Sequence, residues 1–366
     1  MARSKQKVSA LRVLFPLVVL LFGALVYNFR ENIPLFVPNG EADVGKPLPP
    51  GEYMFCFWNL ENFFDNIDDS RNNIDDPYDD WFASDAEAYQ LKLQRHCEVL
   101  LKLNGGRGPD ILALAEVESE AAANALKDAL NERLPEGVEP YKDALFKKVA
   151  RGRHISCPII TRLNVVRNKT QQFDRSRRIV KGHVNAGGKE LIVIASHWTS
   201  RISDKDGSGR GKYAKLIYGR VREMYQANKD VDVIVCGDFN DGPEDRSVVE
   251  HLHATGNKAA VLNSTKPLLL NLMANKNPLT YGTHYYDRDR KNGPWFIFDQ
   301  VVVSPGMLDQ NGWTCKVDSV RTIRPFTDSR GKSRGPWGFE TKNKDLDPED
   351  RGYSDHYPVV VTLSVK

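Results

Sequence analysis

Short apolar runs recur along the chain from residue 51 onward, and polar or helical segments separate them. Several of the runs are nearly continuous and rich in β-branched residues, which is typical of strands buried on both faces of a sheet. The pattern predicts these strands: Tyr53–Trp58, Ile111–Ala115, Ile155–Thr161, Leu191–Ser196, Val231–Cys236, Phe296–Ser304 and Pro358–Val365.

Helical periodicity lies between several of the runs. Ser119 is suited to cap one helix, and the pair Gly105-Gly106 is suited to end another. The alternation of strands and helices indicates a layered α/β or α+β domain. The long polar segments 65–85 and 321–353 are expected to be loops. The predicted helices are Ala86–Leu103, Ser119–Arg133, Lys212–Ala227 and Arg246–Thr255.

The N-terminal segment differs from the rest of the chain. Val13–Tyr27 is an uncharged apolar run preceded by basic residues, and it is short for a membrane span, which needs about 17–25 residues. We expect residues 1–30 to be an uncleaved signal anchor that leaves the rest of the chain exported, in a periplasmic or other extracytoplasmic space. A cleaved signal peptide, and hence a secreted protein, is the alternative. Residues 31–50 are rich in proline and predict a linker, so the folded domain is expected to span 51–366.

Cysteine usage and charge narrow the class of protein. The five cysteines form no CxxC pair or Cys/His cluster, which excludes a zinc site and a disulfide framework. Cys56, Cys157 and Cys236 lie in apolar runs and are expected to be buried thiols, although one disulfide outside the cytoplasm stays open as an alternative. Five of the 51 basic residues lie in 1–30, so 46 basic residues face 48 acidic ones in the remainder. This near-neutral domain differs from proteins that bind nucleic acid by broad electrostatics, and phosphate chemistry here would depend on local charge.

Polar side chains stand at the ends of six predicted strands. Strand ends in a layered α/β sheet converge on one crevice, where ligands bind, so we expect these side chains to lie close together. They are Asn59, Glu116, His197, Asp238 with Asn240, Asp299, and Asp355 with His356.

Each of these residues also has a structural explanation by itself. Asp and Asn after a strand commonly form turns, and an acid such as Glu116 favours the first turn of a helix. A lone histidine is more often a satisfied core or surface residue. A carboxylate inside an apolar run, as Asp299 is, costs several kcal/mol unless it is paired, and a histidine is a natural partner. The coincidence of six such positions favours a functional site.

The inventory of residues fits one kind of chemistry. The sequence has no serine nucleophile elbow, no GxxxxGK[ST] loop and no GxGxxG after a strand, so the NTPase and dinucleotide-binding interpretations fail. Carboxylate and amide oxygens suit Mg²⁺, Mn²⁺ or Ca²⁺. Two histidines with an Asp/Asn pair supply acid–base groups and hydrogen bonds to a developing phosphorane. The residues therefore predict metal-assisted hydrolysis of a phosphate ester.

The same residues stand in motifs that resemble the endonuclease/exonuclease/phosphatase superfamily, over about residues 51–366. The combination of GDFN and SDHxP is highly specific for that superfamily, and the opening FWNLENFFD most resembles exported bacterial members. The motifs are Phe57–Asn62, Leu114–Glu118, Ser196–Trp198, Gly237–Asn240, Asp299–Ser304 and Ser354–Pro358.

The resemblance implies a four-layered α/β (α+β) sandwich, with two packed mixed β-sheets flanked by helices. It also implies a divalent metal, Mg²⁺ or Mn²⁺ with Ca²⁺ as an alternative. Asn59 and Glu116 would sit at this metal, with Asp355 near it.

The resemblance further implies the catalytic roles. Asp238 would orient or deprotonate the attacking water, and Asn240 would hold the water and the phosphate. Asp299 would pair with His356, which would contact the scissile phosphate. His197 would be the second histidine and would either protonate the leaving oxygen or stabilise the phosphate.

The substrate side of the site departs from deoxyribonuclease-like members. Those members pair the second histidine with a glutamate, whereas residues 141–161 offer Arg153 and His154, so the partner of His197 is unassigned. Arg153, His154 and Arg201 are candidate phosphate contacts, with an exposed basic surface as the alternative. Trp198 is a candidate for stacking on a base or sugar, with core packing as the alternative.

Three functions stay open on the sequence. The first is an exported, membrane-anchored nuclease that acts on DNA or RNA, which the superfamily resemblance slightly favours. The second is a phosphodiesterase or phosphatase for a small or lipid-linked phosphate. The third is a catalytically inactive binding module, which the intact catalytic residues argue against. The sequence does not indicate an oligomeric state.

Overall fold

The structure is a computed structural model that describes residues 46–69, 74–285, 295–324, 326–327, 333–334 and 347–366. Its helices are α1 (Asp76–Ser84), α2 (Ala86–Leu100), α3 (Glu120–Asn131), α4 (Ser208–Ala227), α5 (Lys258–Leu262) and α6 (Pro278–Tyr281). Its strands are β1 (Glu52–Phe63), β2 (Ile111–Val117), β3 (Asp143–Leu145), β4 (Ile159–Thr161), β5 (Asn164–Val165), β6 (Gln171–Gln172), β7 (Ile179–Ala186), β8 (Lys189–His197), β9 (Val233–Asp238), β10 (Ala254–Thr255), β11 (Leu269–Asn271), β12 (His284–Tyr285), β13 (Trp295–Phe296), β14 (Asp299–Val303), β15 (Trp313–Cys315), β16 (Arg321–Thr322), β17 (Phe326–Thr327), β18 (Ser333–Arg334) and β19 (Val359–Val365).

Two mixed sheets make up the centre of the fold. The first has the strand order β15-β19-β1-β2-β4-β3, with β16 also paired to β19. The second has the order β10-β11-β14-β9-β8-β7-β5, with β6 also paired to β7. In each sheet the two middle strands are parallel, β1 with β2 and β8 with β9, and antiparallel strands flank them. The predicted mixed-sheet architecture is confirmed.

The alternation of side chains along β1 shows how the layers pack. Phe55 and Phe57 belong to the apolar cluster between the two sheets, whereas Cys56 and Trp58 belong to the cluster under α2 and α3. A third cluster fills the space between the second sheet and α4. Helices therefore cover the outer face of each sheet, which gives the four layers expected from the resemblance, and β1 is buried on both faces as its apolar run predicts.

Several predicted elements are confirmed with shifted ends. Ser119 caps α3, since its Oγ accepts the Ala122 amide hydrogen at 2.9 Å. Helix α2 ends at Leu100, and Gly105 and Gly106 adopt positive φ in the turn that follows. Strand β1 continues past Trp58 to Phe63, because a bulge between Asn59 and Phe63 lets the pairing with β2 resume.

Three predictions of secondary structure are wrong in part, and one strand was missed. Segment 65–85 contains the helix α1, which buries Trp81 and Phe82. The predicted strand Phe296–Ser304 is two strands, because Trp295–Phe296 pairs with β12 and only Asp299–Val303 joins the second sheet. Arg246–Thr255 forms a short π-helix, Ser247–His251, and then β10. The strand β7 (Ile179–Ala186) was not predicted.

The N-terminal predictions lie largely outside the described residues. The predicted anchor, residues 1–30, and residues 31–45 of the predicted linker are not among them. The end of that linker packs on the domain, since the Leu48 amide donates to Asn104 Oδ1 at 2.8 Å. Within the described ranges, no helix has the length and apolar character needed to cross a bilayer. All five cysteines are buried and free, as expected for Cys56, Cys157 and Cys236.

Candidate active site

The topology explains why the polar strand ends meet. Asn59 and Glu116 lie near the carboxyl ends of the parallel strands β1 and β2, and His197 and Asp238 end the parallel strands β8 and β9, opposite each other in register. Asp299 begins the antiparallel strand β14, opposite Asp238. Carboxyl ends of parallel strands and the amino ends of their antiparallel neighbours share one edge of a sheet, so all these side chains face one crevice.

Asp299 and His356 form a buried pair. Asp299 Oδ2 lies 2.6 Å from His356 Nδ1, and the Asp299 side chain is fully buried. Burial by itself would lower the pKa of His356, but the carboxylates of Asp299, Asp238 and Asp355 raise it well above its usual value. His356 is therefore an imidazolium at neutral pH in this charge state, and the pairing predicted from the sequence is confirmed.

Asn59 connects two carboxylates across the two sheets. Its Nδ2 donates to Asp238 Oδ2 at 3.1 Å and to Glu116 Oε1 at 3.5 Å. Its Oδ1 accepts the Glu61 amide hydrogen at 3.0 Å, and Glu116 Oε2 accepts the Asn62 amide hydrogen at 2.9 Å. The start of the bulge in β1 thus fixes the orientation of Asn59 and Glu116.

His197 lies beside the same two carboxylates. Its Nε2 is 3.5 Å from Asp238 Oδ2 and 3.7 Å from Glu116 Oε1. Burial lowers its pKa well below the usual value, and the charges of Arg178, His356 and Arg153 lower it further. His197 Nδ1 is buried and has no hydrogen-bond partner within the part of the chain that the structure describes, so its partner stays unassigned. The two histidines therefore carry different charges at neutral pH.

Asp238 is nearly completely buried at the centre of the group. Burial raises its pKa to about 7, the charge of Asp299 adds to that rise, and His356 opposes it. Its Oδ1 accepts the Asn240 amide hydrogen at 2.9 Å, and Asn240 Nδ2 donates to the Trp198 carbonyl at 3.2 Å. Asp238 and Asn240 are therefore held in one short turn.

Four non-glycine residues around the crevice have left-handed backbone conformations. Their φ angles are 52° at Glu61, 55° at Asn62, 61° at Glu116 and 51° at Asn240. This region costs about 1–2 kcal/mol for most L-residues, although Asn tolerates it better. Strain of this kind persists where the surrounding structure fixes the backbone, and it commonly marks functional sites.

Two groups of possible metal ligands share His356. Ligand atoms of Asp355, His356 and His284 lie within 4.8 Å of one another, as do those of Asp238, Asp299 and His356. Burial and the charges of Glu116 and Asp299 raise the pKa of Asp355, although His356 and Lys92 oppose the rise. The crevice thus concentrates hard oxygen donors whose negative charge is incompletely balanced, which fits a divalent cation.

Arg153 extends from the loop before β4 to Asn62, which lies beside Glu116. Its Nε donates to the fully buried Asp75 at 2.7 Å, and a terminal nitrogen donates to Asn62 Oδ1 at 2.6 Å. The His154 backbone amide donates to the other Asp75 oxygen at 2.8 Å. The Arg153 guanidinium also lies over the Tyr78 ring, 5.3 Å from its centre. Helix α1 and the turn before it therefore hold Arg153 beside the Asn62–Glu116 contact.

Arg201 lies at the other rim of the crevice. Its Nε donates to the Asn240 carbonyl at 2.8 Å, and its guanidinium contacts the carboxylates of Asp241 and Asp245. The guanidinium lies 5.1 Å from the centre of the Phe298 ring. About two fifths of the Arg201 side chain remains exposed, so it is accessible from solvent beside Asn240.

Trp198 does not line the crevice, and its predicted role in stacking on a base or sugar is wrong for this structure. The side chain is fully buried, stacks on Phe239 at 4.2 Å between ring centres, and donates to Ser196 Oγ. The alternative of core packing therefore holds.

Two residues of the site were missed by the sequence analysis. Lys92 in α2 is fully buried and donates to the Glu61 carbonyl at 2.5 Å, and burial lowers its pKa to about 8. Its spacing from Tyr89 and His96 places it on the apolar face of α2, which is a signal that the sequence carries. His284 forms a bridge with His356, and its Nδ1 lies 3.1 Å from the Asp355 carbonyl oxygen.

Comparisons with known proteins agree with this geometry. Residues 54–365 match the sequence model described as the endonuclease/exonuclease/phosphatase family. No curated protein sequence matches the chain significantly.

Solved structures show the same fold at low identity. A family protein from Bacteroides thetaiotaomicron is 16% identical, with 87% of this chain and 100% of that chain covered and a TM-score of 0.50. A mannosyl-6-phosphatase from the same organism is 16% identical, with 85% and 99% covered and a TM-score of 0.51. TDP2 from D. rerio, complexed with single-strand DNA product, is 14% identical, with 86% and 99% covered and a TM-score of 0.51.

Proposed function

This chain belongs to the endonuclease/exonuclease/phosphatase family, and from that premise we propose that it is a divalent-metal-dependent phosphodiester hydrolase, in the first place a nuclease. The observation that carries the proposal is the placement of Asp238. This buried carboxylate lies within 3.1–3.7 Å of the Asn59 amide, His197 and His356, and His356 is itself paired with Asp299.

The donor set fits a hard divalent cation. Glu116 and Asp355 would supply carboxylate oxygens to Mg²⁺ or Mn²⁺, and Ca²⁺ is the alternative. Asn59 directs its amide nitrogen to the carboxylates, and its oxygen accepts the Glu61 amide, so a ligating Asn59 would have to turn its amide over. A bound ion would neutralise the non-bridging phosphate oxygens and lower the pKa of water.

The protein residues divide the remaining work. Asp238, whose pKa burial raises to about 7, is suited to accept the proton of an attacking water near neutral pH. Asn240 is held beside it and would orient the water and the phosphate. The imidazolium of His356 would donate to the phosphate as negative charge develops. His197 is neutral, so of its two predicted roles, stabilising the phosphate is favoured over protonating the leaving oxygen.

Two substrate classes remain in competition. The structure of D. rerio TDP2 holds a single-strand DNA product, and another similar structure is a mannosyl-6-phosphatase, so the fold serves both polymers and small phosphates. Arg153 contacts Asn62 and Arg201 contacts the Asn240 carbonyl, and both guanidinium groups would contact phosphate oxygens. The backbone amide of His154 shares the Asp75 carboxylate with Arg153, and the His154 ring would be a further phosphate contact near Arg153. Two cations at different places around the crevice favour a phosphodiester, which carries a group on each side of its phosphate. A small or lipid-linked phosphate is the alternative.

Export is part of the proposal. The basic, apolar segment 1–30 would anchor the chain in a membrane with the hydrolase outside, or would be cleaved as a signal peptide. Amino-terminal sequencing of the membrane fraction distinguishes the two, because a start beyond residue 27 contradicts the anchor.

Hydrolysis assays test the function. The full chain is incubated with plasmid DNA, a single-stranded oligonucleotide and a chromogenic phosphodiester, with Mg²⁺, Mn²⁺ or EDTA. Asp238→Asn should lower turnover about 10²–10⁴-fold, because the water loses its base. Asp232→Asn is the matched control, since it changes a buried carboxyl immediately before the strand that Asp238 ends. A wild-type rate in Asp238→Asn would contradict the role of Asp238, and metal-independent hydrolysis would contradict the proposal.

A further inference from the structure

A cavity of about 620 Å³ lies outside the catalytic crevice, where the loop after β3 meets β6, the turn before β7 and helix α4. Four cationic side chains and two acidic ones line it, together with polar and apolar neighbours. The cations are Lys147, Arg175, Lys181 and Arg220, and the acids are Asp174 and Glu223.

The positive charge of this cavity is poorly balanced. Arg220 pairs with Glu223 at 2.9 Å, and Asp174 pairs with Arg177 at 3.3 Å, so both acids of the lining are already engaged. Within the described part of the chain, Lys147, Arg175 and Lys181 have no carboxylate at ion-pair distance. Cations that surround an accessible cavity without counter-charges favour an anionic occupant.

Two chain segments join the cavity to the catalytic crevice. The first is the loop from Lys147 to Arg153, whose far end contacts Asn62 in the crevice. The second is the turn from Arg175 to Arg178, whose last carbonyl accepts the His197 amide hydrogen at 2.9 Å. The two segments touch, because the Ala150 amide donates to the Arg175 carbonyl at 2.7 Å.

The spacing suits a phosphate chain. Three residues of backbone, from Arg178 to Arg175, span at most about 11 Å. A nucleic-acid strand carries one phosphate per ~3.4 Å of helical rise, so at most about three nucleotides cover that distance. The two segments add further cations along the way, since Lys148 and Arg151 are exposed on the first and Arg177 and Arg178 are half-buried on the second.

We propose that this cavity binds a phosphate of a nucleic-acid strand that lies a few nucleotides from the scissile phosphodiester, so that the enzyme prefers a polyanionic strand over a small diester. The inference rests on the proposed hydrolase function and names its substrate class. A small diester or monophosphate in the crevice has no second phosphate to reach the cavity. The cations on the segments Lys147–Arg153 and Arg175–Arg178 would therefore contact the phosphates of a polymer, whereas a small substrate would not reach them.

Paired substitutions separate the cavity from the catalytic residues. Lys147→Gln/Arg175→Gln removes two cavity cations, and neither residue belongs to the catalytic group. Lys102→Gln/Lys266→Gln removes two exposed lysines that do not line the cavity and keeps the net charge equal to that of the first variant. Both variants and the wild type are compared as full chains.

Two measurements are made. Fluorescence anisotropy with a labelled single-stranded oligonucleotide in EDTA gives affinity over a salt series. Steady-state kinetics with Mg²⁺ give kcat and KM for the oligonucleotide and for a chromogenic phosphodiester. The cavity variant should lower the slope of log affinity against log salt by about 0.7, because the contact with one phosphate is lost. Its KM for the oligonucleotide should rise about tenfold, and its kcat and KM for the small diester should stay at the wild-type values, as should all values for the control variant.

The outcomes distinguish the two proposals. If the wild type cleaves the oligonucleotide but the cavity variant keeps the wild-type affinity and salt slope, the role of the cavity is overturned and the hydrolase function stands. Cleavage of the small diester alone also overturns the cavity proposal and leaves the small-substrate phosphodiesterase. Equal losses in the cavity and control variants show a general charge effect and overturn it as well. If the wild type cleaves neither substrate, the proposed function fails, and this inference fails with it.

Discussion

The Asp299–His356 pair gives the sharpest test of how the site works. Asp299 is fully buried, and its backbone amide donates to Thr283 Oγ at 3.0 Å, which fixes the start of β14. Asp299→Asn keeps the shape of the side chain and so should preserve the fold. It removes the negative charge that lies 2.6 Å from the His356 ring. We therefore predict that the variant folds but loses the imidazolium at a lower pH than the wild type does.

The size of the effect follows from the contact. A hydrogen bond to a charged group contributes about 1.5–3 kcal/mol, whereas a neutral one contributes about 1 kcal/mol. Asn retains the neutral bond, so the preference for the imidazolium falls by about 0.5–2 kcal/mol. One pKa unit corresponds to about 1.4 kcal/mol, and the pKa of His356 should therefore fall by about one unit. The carboxylates of Asp238 and Asp355 still raise the pKa of His356 in the variant, so the loss of Asp299 removes only part of the rise.

The assay is the pH dependence of kcat/KM with a chromogenic phosphodiester, together with NMR titration of the His356 ring. His356 is protonated below its pKa, and the neighbouring carboxylates extend that range to higher pH in the wild type. The alkaline limb of the variant should therefore move to lower pH by about one unit. At pH values well above the new pKa, the rate of the variant should be about 10²-fold or more below its own maximum. Asp232→Asn again serves as the control, because its amide can still accept the Trp313 amide hydrogen.

Three results would refute this reasoning. An unchanged alkaline limb in Asp299→Asn would show that His356 does not act as the protonated group. An unchanged His356 titration would show that the charge of Asp299 does not control it. An equal shift in Asp232→Asn would assign the effect to net charge rather than to the pair.

Two further predictions concern the metal and the stability. Glu116→Gln should raise the half-saturating Mg²⁺ concentration about 10–100-fold in calorimetric titrations, because an acidic donor is lost, and an unchanged titration would place the ion elsewhere. Burial raises the pKa of Asp232 to about 7. Between about pH 4 and 7 the folded protein therefore binds a proton on Asp232 more tightly than the unfolded chain does. The free energy of unfolding of the wild type should fall as pH rises through that window. Asp232→Asn should lack that fall and be more stable than the wild type at pH 8, by about 1–2 kcal/mol after allowance for solvent screening. Thermal melts of both proteins at pH 5 and 8 measure this, and an equal change in stability between the two pH values in both proteins would contradict the prediction.

The layers of the fold could be predicted because the central strands are apolar on both faces. The run from Tyr53 to Trp58 and the run from Ile111 to Ala115 have no solvent-facing side, so their patterns are unambiguous. Strand β7 was missed because it mixes Lys181, Gly182 and Asn185 with apolar residues, so its apolar run is interrupted. Helix α1 was missed because its sequence is mostly acidic, so the two aromatic residues that it buries, Trp81 and Phe82, form no apolar periodicity.

The centre of the site could be predicted and its supports could not. Strand ends locate Glu116, Asp238 and Asp299 because each directly follows or begins an apolar run. The clamp on Arg153 depends on Asp75, which lies 78 residues away in the chain. Contacts between residues so far apart are set by the packing of loops, and the sequence carries no local pattern for them.

The left-handed residues around the crevice make stability and activity compete at the same positions. Glycine adopts this conformation without the side-chain clash that Glu116 and Asn240 incur. Glycine at either position should therefore raise the free energy of unfolding by about 1 kcal/mol. Each such gain would remove a carboxylate or amide that the site needs. Laboratory evolution for heat resistance alone would therefore tend to erase this site, and only a screen that also scores hydrolysis would keep it.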